Sequence, residues 1–253
     1  MVPELKMVEI EINHHCNRAC VYCPNSVAER KEKGEMDQEL FEKLMQQLVD
    51  MNYKGSISYE FYNEPMLAKN LYWFVETTQK YLPASRIDFY TNGTLLDRSS
   101  FDKLVNLGVN RFIVTKQKGE EKYIFDETYA SLNSEEKSLV TYQQYTDLKL
   151  TNRGGAVDAG AKGSFHLLPC LIPSFLVTIT VLGNVLPCFE DYHEEMIMGN
   201  IGNDHLKSIW ANEKFQKMRK NLAFGNRHAY SPCDKCNRTQ NLLNKDLHGS
   251  KKD

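Results

Sequence analysis

The stretch HHCNRACVYCPNSV, residues 14–27, places three cysteines, Cys16, Cys20 and Cys23, within eight residues. Three thiolates do not complete the four-ligand shell of a structural zinc ion. The two histidines directly before Cys16 are too close along the chain to close the same site, so we interpret them as loop residues. A 4Fe–4S cubane has four irons, and three cysteines would leave one of them open. The stretch therefore indicates a cluster site with a free coordination position.

Predicted strands and helices alternate along the first part of the chain. The segment MVEIEIN, residues 7–13, alternates polar and apolar residues as a strand does and ends just before the first cysteine. Further strands are predicted at 56–65, 86–91, 111–115 and 148–152, with helices at 36–51, 70–82 and 99–107. Repeated strand–helix units predict an α/β fold with a parallel sheet. About five strands would form a partial barrel that is open on one side.

The ends of the first three predicted strands carry the polar motifs of this region. The cysteine stretch follows the first strand, YNEP (residues 62–65) ends the second, and TNG (residues 91–93) ends the third. In parallel α/β sheets, functional groups lie at the C-terminal ends of the strands. We therefore expect these three segments to meet at one rim of the barrel.

Composition and charge exclude several function classes. The formal net charge of -2 provides no basic surface, so nucleic acid is not an expected partner. The N-terminal segment has no apolar signal region and no apolar run reaches membrane-spanning length, which predicts a cytoplasmic protein without membrane association. Seven cysteines in such a chain indicate metal or redox chemistry, because disulfides are rare there and an odd number pairs poorly.

The first cysteine cluster resembles that of the radical S-adenosylmethionine (SAM) enzymes. Their hallmark is C-x3-C-x2-C with an aromatic residue before the third cysteine, and Cys16, Cys20, Tyr22 and Cys23 match it. The resemblance implies that the three cysteines hold a 4Fe–4S cluster whose open iron binds SAM. In that family, reductive cleavage of SAM gives methionine and a 5′-deoxyadenosyl radical, which abstracts hydrogen from carbon.

The resemblance also implies SAM contacts at the ends of the next strands. The segment FYNEPML, residues 61–67, stands where the family has Gly-Gly-Glu-Pro, whose carboxylate meets the SAM ammonium group. Here Tyr62 and Asn63 replace the two glycines. TNG corresponds to a segment near the ribose in relatives, although Asn-Gly is also typical of an ordinary turn. The implied SAM contacts are Tyr22, Asn63, Glu64, Thr91, Asn92 and Thr115.

The other four cysteines, Cys170, Cys188, Cys233 and Cys236, follow a Gly/Ala-rich loop at residues 153–164. In isolation they fit zinc and an iron–sulfur cluster equally well. The segment around them, with a predicted β-hairpin and one helix at 204–225, resembles the SPASM and shorter twitch extensions of radical SAM enzymes. That resemblance implies one auxiliary 4Fe–4S cluster. We therefore predict a radical SAM partial barrel over residues 1–155 and an auxiliary-cluster domain over residues 156–253.

Full ligation of the auxiliary cluster predicts electron transfer. Four thiolates occupy all four irons of a cubane, so no iron is left to bind a substrate. Hydrogen abstraction from an alcohol carbon, followed by loss of one electron, gives a ketone. Along nearly its whole length, with CNRACVYCPNSV, NRGG and VLGNVLPCFED as the shared segments, the chain resembles radical dehydrogenases of aminoglycoside (butirosin-type) antibiotic biosynthesis, which oxidise an aminocyclitol.

Four residues are candidates for contact with an aminocyclitol. Glu190 follows Cys188 closely and is a candidate partner for the substrate ammonium group, although a solvated acid in the run EDYHEE is an equally good interpretation. Arg153 ends the fifth predicted strand and could donate to a substrate hydroxyl, or pair with an acid beside its glycine turn. We list both as candidate catalytic residues. Tyr62 and Phe189 could line the pocket, and core packing explains them nearly as well.

Three functions remain open from the sequence. The first is a radical SAM dehydrogenase acting on an aminocyclitol, and the second is a radical SAM enzyme that modifies a peptide or protein. The third is a zinc-binding module without catalysis. Either enzyme would need an external one-electron reductant, such as flavodoxin or ferredoxin.

Overall fold

The computed structural model describes residues 2–29, 33–119, 123–163, 165 and 167–239. The strands are β1 Met7–Ile10, β2 Ser56–Ser58, β3 Arg86–Thr91, β4 Val109–Lys116, β5 Val140–Gln144, β6 Leu176–Ile179, β7 Asn184–Leu186 and β8 Gly199–Asn200. The α-helices are α1 Gln38–Asp50, α2 Leu71–Tyr81, α3 Arg98–Asn106, α4 Ile124–Ser131, α5 Ser134–Ser138, α6 Leu206–Ala211 and α7 Glu213–Ala223.

All eight described strands form one open sheet in the order β5-β4-β3-β2-β1-β6-β7-β8. The pairs from β5 to β6 are parallel, whereas β6–β7 and β7–β8 are antiparallel. The predicted α/β architecture, a partial barrel open on one side, is confirmed. The parallel part has six strands rather than about five, because β6 pairs with β1.

The core lies between the sheet and the helices that cover its outer face. Helix α1 shows how the sequence builds this layer: Asp37 caps it by accepting hydrogen bonds from the backbone of Glu39 and Leu40. Its stripe of Phe41, Leu44 and Leu48 is fully buried in the main apolar cluster. The outer face of the sheet is thus apolar, and polar side chains on the strands are left to the inner face.

Two predicted elements differ from the structure. The fifth strand was predicted at residues 148–152, but β5 is Val140–Gln144. Val140–Gln144 pairs with β4 along the edge that a strand at 148–152 would need. A 3-10 turn at Tyr145–Asp147 then takes the chain away from the sheet. The predicted helix over residues 204–225, with Asp204 as its cap, is two helices, because His205 caps α6 and Asn212 ends it and caps α7.

The predicted β-hairpin is present as β6 and β7, with Gly183 at the turn at a φ of 82°. It does not form a separate sheet in the C-terminal lobe, because β6 aligns with β1 over Met7–Ile10. Cys170, before β6, and Cys188, after β7, are therefore close along the chain to the edge of the parallel sheet. Within the described residues, no helix combines the length and apolar character required to cross a membrane.

Candidate active site

The first three cysteines lie in the loop after β1 and are partly buried. The Cys23 backbone N–H donates to the Cys20 carbonyl at 2.9 Å, and Pro24 begins a 3-10 turn, so the loop is compact. Burial raises the pKa of the Cys16 thiol to about 11. Such a thiol becomes a thiolate only beside positive charge, which the irons of a cluster provide. The donor set therefore fits a 4Fe–4S cluster with one open iron.

The other four cysteines line one pocket in the C-terminal lobe. Burial raises the pKa of all four thiols. The rest of the lining is five apolar residues, Ile172, Pro173, Met196, Leu222 and Pro232, and four charged ones, Glu190, Asp191, Arg227 and Arg238. Four thiols that line one pocket, two of them buried and two partly buried, fit a fully ligated 4Fe–4S cluster.

The arrangement of these donors bears on the zinc alternative. Among the described residues, no three His, Cys, Asp or Glu side chains are grouped closely enough to hold one metal ion. Zinc requires its ligands to meet at one point. A cubane distributes its cysteines over four irons and does not need that convergence. At the C-terminal site the four cysteines line one pocket, as the four ligands of a cubane would.

Glu64 joins the ends of the first three strands at the rim. Its carboxylate accepts hydrogen bonds from the Thr91 hydroxyl at 2.7 Å, the Asn92 N–H at 2.7 Å and the Met66 N–H at 3.2 Å. Its own N–H donates to the His15 carbonyl at 2.7 Å. Burial raises the pKa of Glu64 to about 7 in spite of these donors. The three rim segments therefore meet at Glu64, two of them at its carboxylate and the first at its backbone N–H.

The remaining predicted SAM contacts are less closely grouped. The Asn63 side chain is engaged within its own turn, where it accepts from the Phe61 N–H at 2.9 Å. Thr115, on β4, accepts a hydrogen bond from Gln143 at 3.0 Å. The Tyr22 hydroxyl donates to Gln117 at 2.6 Å.

Gln117 is a rim residue that the sequence analysis missed. Its side-chain oxygen accepts from Tyr22 and lies 3.5 Å from the Cys20 sulfur. It comes just after β4, at the same end of the sheet as the other rim segments. Its position just after a predicted strand is the feature of the sequence from which this role could have been inferred.

On the side of the C-terminal lobe, Glu190 is the centre of a buried polar cluster. The Arg238 guanidinium contacts its Oε1 through Nε at 2.9 Å and Nη2 at 2.8 Å, and Thr151 donates to the same carboxylate at 2.9 Å. Arg153 is more distant, with its Nη1 3.9 Å from Oε1. Glu190 is only 3% exposed and is therefore not a solvated acid.

Arg153 has donor capacity left over. Its Nε is buried and makes no hydrogen bond within the described structure. The residue adopts a φ of 50°, and its Cζ lies 5.8 Å from the centroid of the Tyr62 ring. A non-glycine residue held in this strained conformation, with an unsatisfied donor, is typical of a ligand site.

Tyr62 and Phe189 form a wall between the two parts of the molecule. The Tyr62 hydroxyl donates to the Phe189 carbonyl at 2.7 Å, and its ring packs edge-on against Tyr192. The Arg238 guanidinium lies 4.8 Å from the centroid of the Phe189 ring. The structure thus brings Arg153, Glu190, Tyr62 and Phe189 together.

Arg238 and Thr151 are functional candidates that the sequence analysis missed. Both contact Glu190, although they are far from it along the chain. Asn152 and Asn237, next to them, hold the two segments together, since each donates its backbone N–H to the side-chain oxygen of the other, at 2.8 Å and 3.2 Å. In the sequence, only their positions indicate such a role: Thr151 is two residues before Arg153, and Arg238 is two residues after Cys236.

Comparison with known proteins places the chain in a family. Residues 10–139 match the radical SAM superfamily, and residues 170–237 match the SPASM iron–sulfur cluster-binding domain. A relative from Niallia circulans, named S-adenosyl-L-methionine-dependent 2-deoxy-scyllo-inosamine dehydrogenase, is 47% identical over 231 residues, which cover 91% of this chain and 92% of the relative.

Two solved structures of a protein named BtrN are similar to this chain. The crystal structure of BtrN with AdoMet and 2-DOIA has a TM-score of 0.92 and 44% identity, and the similarity covers 98% of each chain. BtrN in an open conformation has a TM-score of 0.77 and 38% identity, over 95% of this chain and 96% of that one. The fold described above is thus nearer to the liganded form. This chain belongs to the radical SAM superfamily and carries a SPASM iron–sulfur cluster-binding domain.

Proposed function

We propose that this protein is a radical SAM dehydrogenase that oxidises a secondary alcohol of an aminocyclitol, 2-deoxy-scyllo-inosamine, to the ketone. The observation that carries this proposal is the 47% identity to a dehydrogenase of that name across nearly the whole of both chains. Aminocyclitol oxidation would place the protein in aminoglycoside antibiotic biosynthesis of the butirosin type. Both cysteine sets and the polar cluster between them are consistent with it.

The residues present fit the cofactors of such an enzyme. Cys16, Cys20 and Cys23 would hold the cluster that binds SAM, and the four cysteines of the C-terminal pocket would hold the auxiliary cluster. When bound, these groups supply reductive SAM cleavage for hydrogen abstraction and an acceptor for the second electron of the oxidation. An external reductant, flavodoxin or ferredoxin, would provide the first electron. We propose a cytoplasmic site of action on the same grounds as in the sequence analysis.

The protein itself contributes binding and orientation. Glu64, fixed by donors from two neighbouring segments, would bind the SAM ammonium group. Arg153 would donate its unsatisfied Nε–H to a substrate hydroxyl, which orients the carbon to be oxidised. Arg238 and Thr151 would keep Glu190 beside that hydroxyl. Tyr62 and Phe189 would exclude water from the substrate.

The test is a product assay under anaerobic conditions. Reconstituted protein is incubated with 2-deoxy-scyllo-inosamine, SAM and dithionite, and 5′-deoxyadenosine and cyclitol ketone are quantified. We expect both products to appear together, and neither with the Cys20→Ala variant. Formation of 5′-deoxyadenosine only when a peptide is added would contradict the proposal and favour a peptide-modifying enzyme. Zinc without iron in the purified protein would contradict both enzyme functions.

A further inference from the structure

A row of polar side chains crosses the inner face of the sheet. The strand register aligns, in order from β6 to β4, Thr178, Glu9, Ser58, Asp88 and Arg111. Their neighbours on β1, Val8 and Ile10, belong to the apolar cluster on the opposite, helix-covered face. Because successive strand residues alternate between faces, the row lies inside the partial barrel. Burying such a row is costly unless its members find partners.

Two of the carboxylates on this side of the sheet already have cations. Asp88 accepts two hydrogen bonds from Arg86, both at 2.8 Å, and two from Arg111, at 3.1 and 3.2 Å. Glu190 is bound by Arg238, as described above. These two carboxylates are therefore neutralised by the protein. Neither needs a cation from a ligand.

Glu9 and Glu60 lack such partners. Glu9 is 4% exposed, and its carboxylate accepts a hydrogen bond from Thr178 at 2.8 Å. Glu60 lies two residues beyond Ser58, past the end of β2, is partly buried and interacts electrostatically with Glu9. Neither has a basic side chain within ion-pair distance in the described part of the chain. Burial raises the pKa of both carboxyls, that of Glu9 to about 8.

Ser58 lies between the two carboxyls, and its hydroxyl interacts with one of them. Its side chain is 3% exposed, and a hydrogen bond with Ser58 favours the charged form of Glu60. At strict hydrogen-bond geometry the hydroxyl oxygen has no partner among the described residues, so this contact is weak. A buried hydroxyl with one weak partner keeps hydrogen-bonding capacity for a ligand bound beside Glu60.

We infer that Glu9 and Glu60, with Ser58, form the subsite that binds the ammonium group of the aminocyclitol. This inference rests on the proposed function and names the residues that would make the enzyme specific for a substrate with an amino group. An ammonium group supplies the positive charge that the buried Glu9 and the partly buried Glu60 lack, and three N–H donors for their oxygens. The sequence made Glu190 the candidate for this role, but its carboxylate is already paired with Arg238. Glu190 would instead lie beside a hydroxyl group of the substrate. The substrate would thus lie between Glu9 and Glu60 on one side and Arg153 on the other. Arg153 and Arg238 both interact electrostatically with Glu9.

The experiment compares two cyclitols on the holoenzyme with SAM. One is 2-deoxy-scyllo-inosamine, and the other carries a hydroxyl in place of the amino group. Calorimetry under argon gives the Kd of each cyclitol for wild type, Glu9→Gln, Glu60→Gln and Ser58→Ala. Glu76→Gln, a change of an exposed carboxylate on α2, is the matched control.

We expect Glu9→Gln and Glu60→Gln each to weaken aminocyclitol binding about tenfold or more, because a charge-assisted hydrogen bond is lost. Binding of the hydroxyl analogue should change by less than about twofold, which also shows that the variants are folded. Ser58→Ala should weaken aminocyclitol binding severalfold. Equal effects of the glutamate variants on both cyclitols, or no effect on either, would overturn the inference.

Ketone formation is measured separately, so that the two proposals can fail separately. A wild-type protein that forms ketone, with variants that do not discriminate between the cyclitols, overturns the ammonium subsite alone. A wild-type protein that binds the amine through Glu9 and Glu60 but forms no ketone supports the subsite and contradicts the dehydrogenase function. A wild-type protein that binds neither cyclitol overturns both.

Discussion

Arg238 determines what Glu190 can do in this site. It contacts a single carboxylate oxygen through two nitrogens, while Thr151 reaches both oxygens, at 2.9 and 3.1 Å. A charged group held in this way has a fixed orientation and few free lone pairs. We therefore propose that Arg238 is a positioning residue, which acts through Glu190 on a substrate that it need not touch.

Replacing Arg238 should impair substrate binding more than cluster assembly. We expect Arg238→Ala to raise the KM for the aminocyclitol about tenfold or more, because Glu190 would be left buried and unpaired. Arg238→Lys keeps the charge without the planar fork and should recover part of the loss. The measurement is the KM and kcat of both variants, with iron content as the control. An unchanged KM in Arg238→Ala at full iron content would contradict the positioning role.

Glu9 should make the stability of the protein depend on pH. Burial raises its pKa from 4.5 to about 8, so the folded state binds a proton that the unfolded state has released between these values. Stability from this group is therefore complete below about pH 4.5 and is lost as the pH rises towards 8. The loss is at most on the order of 1.4 kcal/mol per pH unit.

Glu9→Gln removes this titration together with its repulsion of the Glu60 carboxylate. We expect the variant to gain stability relative to wild type as the pH rises from 5 to 8, and to gain no more above that. Urea unfolding midpoints of both proteins, measured under argon across this range, test it. A difference between the two proteins that does not vary with pH would show that Glu9 has an ordinary pKa.

At the residue scale, local motifs were predictable and distant partners were not. The three cysteines and Glu64 stand within short patterns whose chemistry can be read directly. Arg238 is separated from Glu190 by 48 positions, and nothing in its neighbourhood indicates that partner. The Glu9–Ser58 alignment likewise exists only once the strand register is known.

At the element scale, the alternation of polar and apolar residues predicted most strands, but the pairing between strands determined which segments join the sheet. The segment at 148–152 has a strand-like pattern yet no free strand edge to join, because Val140–Gln144 occupies the edge of β4. The hairpin was predicted correctly, but its parallel partner β1 could not be inferred from the hairpin itself. The division at residues 155 and 156 stays a prediction, since the two family matches leave residues 140–169 between them.

The turn at Gly154 should be intolerant of a side chain. It has a φ of 64°, and a Cβ there would lie 2.7 Å from both the Glu190 carbonyl oxygen and the Pro232 Cβ. We expect Gly154→Ala to cost more than about 2 kcal/mol and to raise the KM, because the turn also carries Arg153.

Gly119→Ala is the matched control for this turn. Gly119 also has a positive φ, 96°, but a Cβ there would meet no atom of the described residues within 4 Å. It should cost only the backbone strain of about 1 kcal/mol and leave the KM unchanged. The measurements are the unfolding free energies and KM values of Gly154→Ala and Gly119→Ala. Equal effects of the two substitutions would contradict a steric role for Gly154.

At the scale of the whole molecule, the two cysteine sets both lie near the candidate substrate site. The first follows β1, and the second lines a pocket together with Glu190 and Arg238. Tyr62 interacts electrostatically with Cys23 of the first set and with Cys188 of the second. The shared sheet joins the two parts, because β6 extends the parallel strands into the C-terminal lobe. This arrangement suits an oxidation in which hydrogen abstraction and electron transfer use different clusters.

Cys233→Ala should separate these two steps. Loss of one thiolate disrupts the auxiliary cluster, so we expect 5′-deoxyadenosine to form still while the ketone yield falls sharply. Stability should also fall, because a structural cluster supplies folding energy. Retained SAM cleavage shows that the variant is folded, and Cys16→Ala should abolish both products. A ketone yield equal to that of wild type would contradict the role of the second cluster as electron acceptor.

The central claim is that hydrogen leaves a carbinol carbon of the aminocyclitol and reaches SAM-derived carbon. The most direct measurement uses 2-deoxy-scyllo-inosamine deuterated at its carbinol carbons, with the holoenzyme and a reductant, and mass spectrometry of the products. The account predicts one deuterium in 5′-deoxyadenosine for each ketone formed. Ketone without deuterium in 5′-deoxyadenosine, or deuterated 5′-deoxyadenosine without ketone, would contradict it.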